Sequence, residues 1–518
     1  MRTLYIISDL HLGGRPHGLT RDGAVQAGYQ INHAYGALVA FIDWVRDQTG
    51  PDRQAELIIN GDIVDFLAED DYPDGAQAWT ADEQAVCAKL DLIVARTRDG
   101  SQRGVFDALA GLRAHGVSLT LILGNHDVEL SLPAVRRHLI GLLGGERAGL
   151  RFIYDGEAYL TDRVLIEHGN RYDRWNRLDY DALRQERSIR SRGLQPAAAR
   201  FSPPAGTHLV VEVLNRIKKQ YRFIDLLKPE TGAALPLLMA LEPSLGRYLD
   251  ALVKANLAQP LFDAGGADAM GQPAARGYMA GQAAPAPAPA LEDVLTEELD
   301  REDAQLFLQS SQHASLAGPP PGDWMSSQAS HLAVGSGALG IAAGAVHAAA
   351  DGLAALARRA GASVSDVRQR QLHAALRRVI ARDGAFNPQR EDSHYLSAAE
   401  AVVAGGAADI VINGHTHLPK QIRLDQPGRP CWYLNTGTWC DVLRLPPMSL
   451  SFDDARATLD HFMAALRTND LDGLVCRYLS WVEVRITPGS APEPFLHSYC
   501  GPGRERCAPL TAHGMPAP

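Results

Sequence analysis

The chain has 518 residues and a net charge of −10, with 46% hydrophobic and 21% charged residues. That composition is ordinary for a globular protein and excludes wholesale disorder or a fibre, and the net acidity disfavours a general binder of nucleic acid, whose phosphate contacts need clustered cations. The six cysteines, Cys87, Cys431, Cys440, Cys476, Cys500 and Cys507, contain no C-x-x-C pair, which excludes a zinc ribbon or a disulfide framework and points to a reducing compartment.

In chain order, residues 3–7 are a short apolar run, and helical spacing of Leu38, Phe41, Ile42 and Val45 predicts a helix over 35–46. Asp9 and His11 follow the first run at once, unlike the charge-free core of a secretory leader, so a cytoplasmic location is expected. Further strand-like runs lie at 56–59, 117–123 and 163–166, and the pattern returns at 408–412, 431–434 and 479–486. Short buried strands separated by helices indicate an α/β fold. The middle reads differently. Val210, Leu214, Ile217, Tyr221 and Ile224 predict one amphipathic helix over 206–228, and a leucine-rich helical pattern follows at 235–262. Residues 264–330 include an Ala-Pro repeat, an acidic stretch at 292–303 and a Gly-Pro-Pro-Pro-Gly breaker, a composition with little to bury. Residues 332–350 carry no formal charge but are mostly Ala and Gly, too weakly apolar for a membrane span.

Five polar blocks each follow an apolar strand pattern. They are Asp9-Leu10-His11, Gly61-Asp62-Ile63-Val64-Asp65, Gly124-Asn125-His126-Asp127, His168-Gly169-Asn170 and Gly414-His415-Thr416-His417. Loops at the carboxyl ends of strands converge on one site in α/β sheets, so these distant residues can meet. Asp, His and Asn without thiolate suit Mn²⁺, Fe or Zn²⁺ better than Ca²⁺ or a cysteine-bound zinc. The three block-opening glycines let the backbone turn sharply where each strand ends.

The order D-x-H, G-D-x-x-D, G-N-H-D, H and G-H-x-H resembles the signature of the calcineurin-like metallophosphoesterase superfamily. The resemblance covers residues 3–172 and about 400–440 and implies an α/β/β/α two-sheet sandwich. It implies two divalent cations, Mn²⁺ first, with Asp9, His11 and His417 on one, Asn125, His168 and His415 on the other, and Asp62 bridging both. It further implies hydrolysis of a phosphomonoester, phosphodiester or pyrophosphate bond by a hydroxide held between the cations, with His126 steadying the transition state or protonating the leaving group. Asp127 would orient the His126 ring, and Asp65 would act behind the ligands. The blocks at 7–13 and 168–173 also resemble the UDP-2,3-diacylglucosamine pyrophosphohydrolase branch, although Gly-Asn-His-Asp departs from the arginine that many of its members carry at the position of His126.

This reading divides the chain into a core at 1–180 and 370–490, a mostly helical, partly disordered cap at 181–369 and a flexible tail at 491–518. From 171 to 228 there are thirteen Lys and Arg against six Asp and Glu. Arginine grips phosphate bidentately, so this stretch is expected to meet a second anionic group of a small or lipid-linked substrate, with Arg184, Arg187 and Arg190 as test positions. Nuclease activity is disfavoured, peripheral membrane contact is left open, and the sequence carries no signal for oligomeric state.

Overall fold

A computed structural model describes residues 1–228 and 369–508, apart from short stretches such as 20–24, 69–77, 99–102, 197–199, 212–214 and 381–385, together with Leu237 and Leu241. The expected features at 235–262, 264–330, 292–303 and 332–350 lie outside the described residues, those two leucines aside. Sixteen strands are described: β1 (Arg2–Ile7), β2 (Gly18–Leu19), β3 (Val25–Gln26), β4 (Gln54–Asn60), β5 (Ser118–Ile122), β6 (Leu150–Ile153), β7 (Tyr159–Thr161), β8 (Val164–Ile166), β9 (Leu227–Lys228), β10 (Ile410–Asn413), β11 (Pro419–Leu424), β12 (Cys431–Thr436), β13 (Asp441–Arg444), β14 (Val475–Arg477), β15 (Ser480–Ile486) and β16 (Glu493–Ser498).

Two sheets carry the fold. The first has the order β16-β15-β1-β4-β5-β6, and the second β11-β12-β10-β8-β7. In the first, β1, β4, β5 and β6 run parallel. In the second, β8, β10 and β12 do. Side chains alternate across each strand and sort the core into layers. Leu4 and Ile6 of β1, Ile58 of β4, Ile410 and Ile412 of β10 and Val482 and Val484 of β15 meet in the cluster between the sheets. Tyr5, Ile7, Leu57 and Ile59 face the other way, onto Leu38, Phe41, Ile42 and Val45 of the helix Tyr35–Arg46 and onto the helices Glu83–Arg96 and Val105–Ala114. On the far side Val411 and Tyr433 pack against Tyr395, Ala399 and Val403 of the helix Ser393–Ala404. Helix, sheet, sheet and helix thus stack as the expected sandwich.

The chain divides into two compact units, one of 1–228, 383–444 and 469–518, the other of 229–382 and 445–468. The stretch 181–228, expected in the cap, therefore belongs to the first unit, and 445–468, expected in the core, to the second. In the second unit the helix Phe452–Thr468 receives Arg370 over the Phe452 ring and a Gln369–Asp460 hydrogen bond of 2.8 Å. Three expectations change. The single helix expected over 206–228 does not reach its far end: helical Ala205–Leu209 and Asn215–Lys218 are followed by the turn Arg222–Ile224 and β9, where Leu227 and Lys228 pair with Leu443 and Arg444 of β13. Glu493–Ser498, expected in a flexible tail, is the edge strand β16, where Pro494 removes no bond that the ladder needs. Beyond it Cys500 and Cys507 form a disulfide. No described helix is long and apolar enough to cross a membrane.

Candidate metal centre

The ligand loops lie at the carboxyl ends of β1, β4, β5, β8 and β10. The first two run side by side: Asp9 N–H donates to Gly61 O (3.2 Å), His11 N–H to Asp62 O (2.9 Å) and Leu12 N–H to Ile63 O (3.0 Å). Among the described residues nine non-glycine residues have positive φ, and five of them are Asp9, His11, Asp62, His415 and His417. Left-handed backbone costs such residues roughly 1–2 kcal/mol each, and strain of this kind gathers at functional sites.

The block-opening glycines are required mainly by close approach. A Cβ on Gly124 would stand 2.0 Å from Asp62 Oδ1, one on Gly414 2.7 Å from Asp9 Oδ2, and one on Gly61 2.2 Å from His168 Nδ1. Of the three, only Gly61 has a positive φ, +83°. Each glycine vacates the volume into which a ligand from another strand reaches.

The seven expected ligands converge. Asp9, His11 and His417 form one group whose ligand atoms lie within 4.8 Å of one another, and Asp62, His168 and His415 form a second. Asn125 joins the second through Oδ1, 3.2 Å from His168 Nε2. One oxygen connects the halves: Asp62 Oδ2 is 3.6 Å from His11 Nε2 and 3.3 Å from His168 Nε2. Its companion Oδ1 accepts the His126 N–H (2.9 Å), which fixes the carboxylate plane. Asp9 is held by its neighbour Ser8, whose Oγ donates to Oδ2, and by the His415 N–H.

Hydrogen bonds on the far ring nitrogens orient the imidazoles. His11 Nδ1–H faces Asp65 Oδ2 (3.2 Å), and His168 Nδ1–H donates to Asn60 O (2.9 Å). Both rings therefore turn Nε2 lone pairs inward. His415 is reversed: Nε2–H faces Asp173 Oδ2 (3.0 Å), leaving Nδ1 for the centre. Such outer partners set the tautomer of metal-ligating histidines. His11 Nε2 and His417 Nε2 stand 3.0 Å apart, and convergent lone pairs beside two carboxylates are a fit for cations.

The electrostatics agree. Burial disfavours charge on Asp9, yet His417 and His168 outweigh it and hold the carboxyl down to about 2. Burial likewise opposes charge on Asp62, but His168, His126 and His11 keep it well below the ordinary range. Against burial, the Asp62 and Asp9 charges push His168 up to about 9. His417 goes the other way, down to about 4, through burial and the charge of Lys228.

One expected role moves. Asp127 does not hold the His126 ring; its carboxylate accepts the Ile63 N–H (2.7 Å) and the Gly124 N–H (2.8 Å) and is fully buried. Burial and the Asp62 charge push it up to about 7. The carboxylate beside His126 is Asp65, whose Oδ1 lies 3.3 Å from His126 Nδ1. Asp65 thus touches both His11 and His126. Asp173 closes the 168–173 block but was given no part in the site by sequence reasoning; its contact with His415 is new.

Residues 2–209 match the family model of the calcineurin-like phosphoesterases. This stretch is similar to a calcineurin-like phosphoesterase domain. The matched stretch holds Asp9, His11, Asp62, Asn125, His126 and His168, and the fold brings His415 and His417 to it from β10, outside the match. No curated protein matches the chain. A phosphoesterase domain with buried Asp/His clusters supports metal-dependent phosphoester chemistry at a dinuclear divalent site.

Proposed function

We propose that the protein is a dinuclear metal-dependent hydrolase of a phosphomonoester, phosphodiester or pyrophosphate bond, with Mn²⁺ the first metal to supply. The observation that carries this reading is the single Asp62 oxygen between His11 Nε2 and His168 Nε2. Asp9, His11 and His417 would hold one cation, Asn125, His168 and His415 the other. The cation pair supplies Lewis acidity, which acidifies water and neutralises phosphoryl charge.

The chain's own residues do the rest. Asp65 and Asn60 O turn His11 and His168 inward, and Asp173 does the same for His415. His126 has its side chain 22% exposed, the most of the five rings, with Asp65 Oδ1 on Nδ1. Its Nε2 would hold a proton for the leaving oxygen, and Asp65 would stabilise the charged ring. The test is release of 4-nitrophenol from its phosphate ester with Mn²⁺, Fe²⁺ or Zn²⁺, alongside metal analysis. His126→Ala is expected to lose about 10²–10⁴ in kcat while retaining both metals. His126 also lies within ligand reach of His11 and Asp62, so loss of a metal from this variant would make it a ligand instead. No turnover with any of the three metals would leave a non-catalytic scaffold.

A further inference from the structure

The basic stretch after His168 is not uniform. Arg190 is committed to Glu186 (2.7 Å) and the Ala81 carbonyl (3.0 Å), and Arg171 to Glu167 (3.1 Å) and the Gly156 carbonyl. Arg184 pairs with Asp181 at 3.5 Å on the exposed surface. Arg187 differs. Only 7% of it is exposed, and among the described residues no hydrogen bond or ion pair reaches its guanidinium; its Nε is fully buried and unbonded. Its one side-chain contact of note is the Tyr154 ring, 4.7 Å away. Arg136 covers the same ring at 4.1 Å.

The surroundings add positive charge. Arg136 and Arg184 act on Arg187 with like charge, and burial is the larger effect pushing its pKa down. Asp155 is the acid that acts on it, but that carboxylate accepts the Glu157 N–H and makes no ion pair with Arg187. Glu186 is taken by Arg190 and by the Arg200 N–H. A guanidinium cannot discharge by losing its proton, so the buried Nε is left without a counter-charge, and an oxyanion seated there would supply one.

Position relates this cluster to the metal centre. Tyr154 follows β6 at the carboxyl end of the first sheet, where Asn125 follows β5. Tyr180, Arg184 and Arg187 are spaced i, i+4 and i+7 on the helix Tyr180–Arg190. Tyr180 and His168 line one small cavity of about 10 Å³, with Gly156 and Asn170. Seven residues of helix rise roughly 10 Å. Arg187 thus stands two turns along this helix from Tyr180.

We propose that Arg187, with Arg136 and Arg184 beside it, is a second oxyanion subsite that holds an additional phosphate or carboxylate of the substrate. The substrate class is then a phosphoester that carries a second anionic group. The naming of the ligand as a phosphoester rests on the proposed hydrolase activity; the subsite itself does not. Oxyanion capture by Arg is bidentate, and its loss is felt as affinity.

The test uses non-hydrolysable probes on the full-length, metal-loaded protein. Alkane-α,ω-bisphosphonates of increasing chain length and the matching alkylmonophosphonate are titrated by calorimetry. One bisphosphonate length should bind at least about tenfold tighter than the monophosphonate. Arg187→Met, close in volume and without charge, should abolish that preference, leave the monophosphonate Kd within about twofold, and keep or raise the melting temperature. Arg136→Gln should weaken the preference and serves if Arg187→Met fails to fold. A preference at no length, or one that survives both substitutions, overturns the subsite. Because binding is read without turnover, absence of 4-nitrophenol release would refute the hydrolase reading separately.

Discussion

Gly61→Ala separates two reasons for a glycine at the metal centre. Gly61 has φ +83°, and an added Cβ would lie 2.2 Å from His168 Nδ1 and 2.4 Å from its Cγ. Gly116 has the same φ, +83°, with nothing within 4 Å. Gly116→Ala therefore measures the backbone cost alone, about 1–2 kcal/mol. Gly61→Ala adds the overlap with a ring held by Asn60 O and packed among buried groups, about 1–3 kcal/mol more. The ring cannot move without surrendering its 2.9 Å bond to Asn60 O and its approach to Asp62. The assay is thermal unfolding of both variants with metal analysis. Gly61→Ala should lower Tm about twice as far as Gly116→Ala and should bind less metal, while Gly116→Ala keeps its full complement. Equal Tm shifts with undiminished metal in Gly61→Ala would refute the close-approach argument.

Two further expectations concern stability. Asp127→Ala strands the buried Ile63 and Gly124 N–H groups and should destabilise by about 2–3 kcal/mol in denaturant titration, while Asp127→Asn, which keeps an acceptor, should lose less; equal stability of wild type and Asp127→Ala would contradict the assignment. Glu483, held by His497 (3.1 Å), Arg485 (3.0 Å) and Arg506 (2.9 Å), is lowered from 4.5 to about 2, since these partners outweigh its burial. A depressed carboxyl stabilises the fold above its unfolded pKa and loses that contribution as pH falls from about 4.5 toward 2. Arg485 and Arg506 are more than a third exposed, so solvent screening reduces the contribution to about 1–2 kcal/mol. Glu483→Gln should flatten this part of the acid limb, and an unchanged limb would contradict it.

What the sequence makes legible follows from the range of each interaction. The strands at 3–7 and 56–59 and the helix at 35–46 are set by local spacing of apolar residues, and the structure reproduces them. The polar blocks are legible because each sits at the end of such a strand. Partnerships across the fold are not. Asp173 meets His415 across 242 residues, and no local pattern announces that contact. Asp127 misleads because it follows His126 directly, yet in that turn its carboxylate points back to Ile63 and Gly124. The helical period of 206–228 is real, but β13 captures Leu227 and Lys228 and tertiary pairing overrides propensity. Arg187 and Arg190 look alike in sequence; only the fold distinguishes a paired guanidinium from a buried one without a counter-charge.

The most direct measurement is metal content per chain, by elemental analysis, of the wild type and Asp62→Asn, read beside hydrolysis of 4-nitrophenyl phosphate. Two ions per wild-type chain, and fewer than two with turnover lost in Asp62→Asn, are expected from a carboxylate oxygen shared between His11 and His168. An active wild type with one ion per chain, or Asp62→Asn retaining both ions and full turnover, would contradict the shared carboxylate and with it the dinuclear centre.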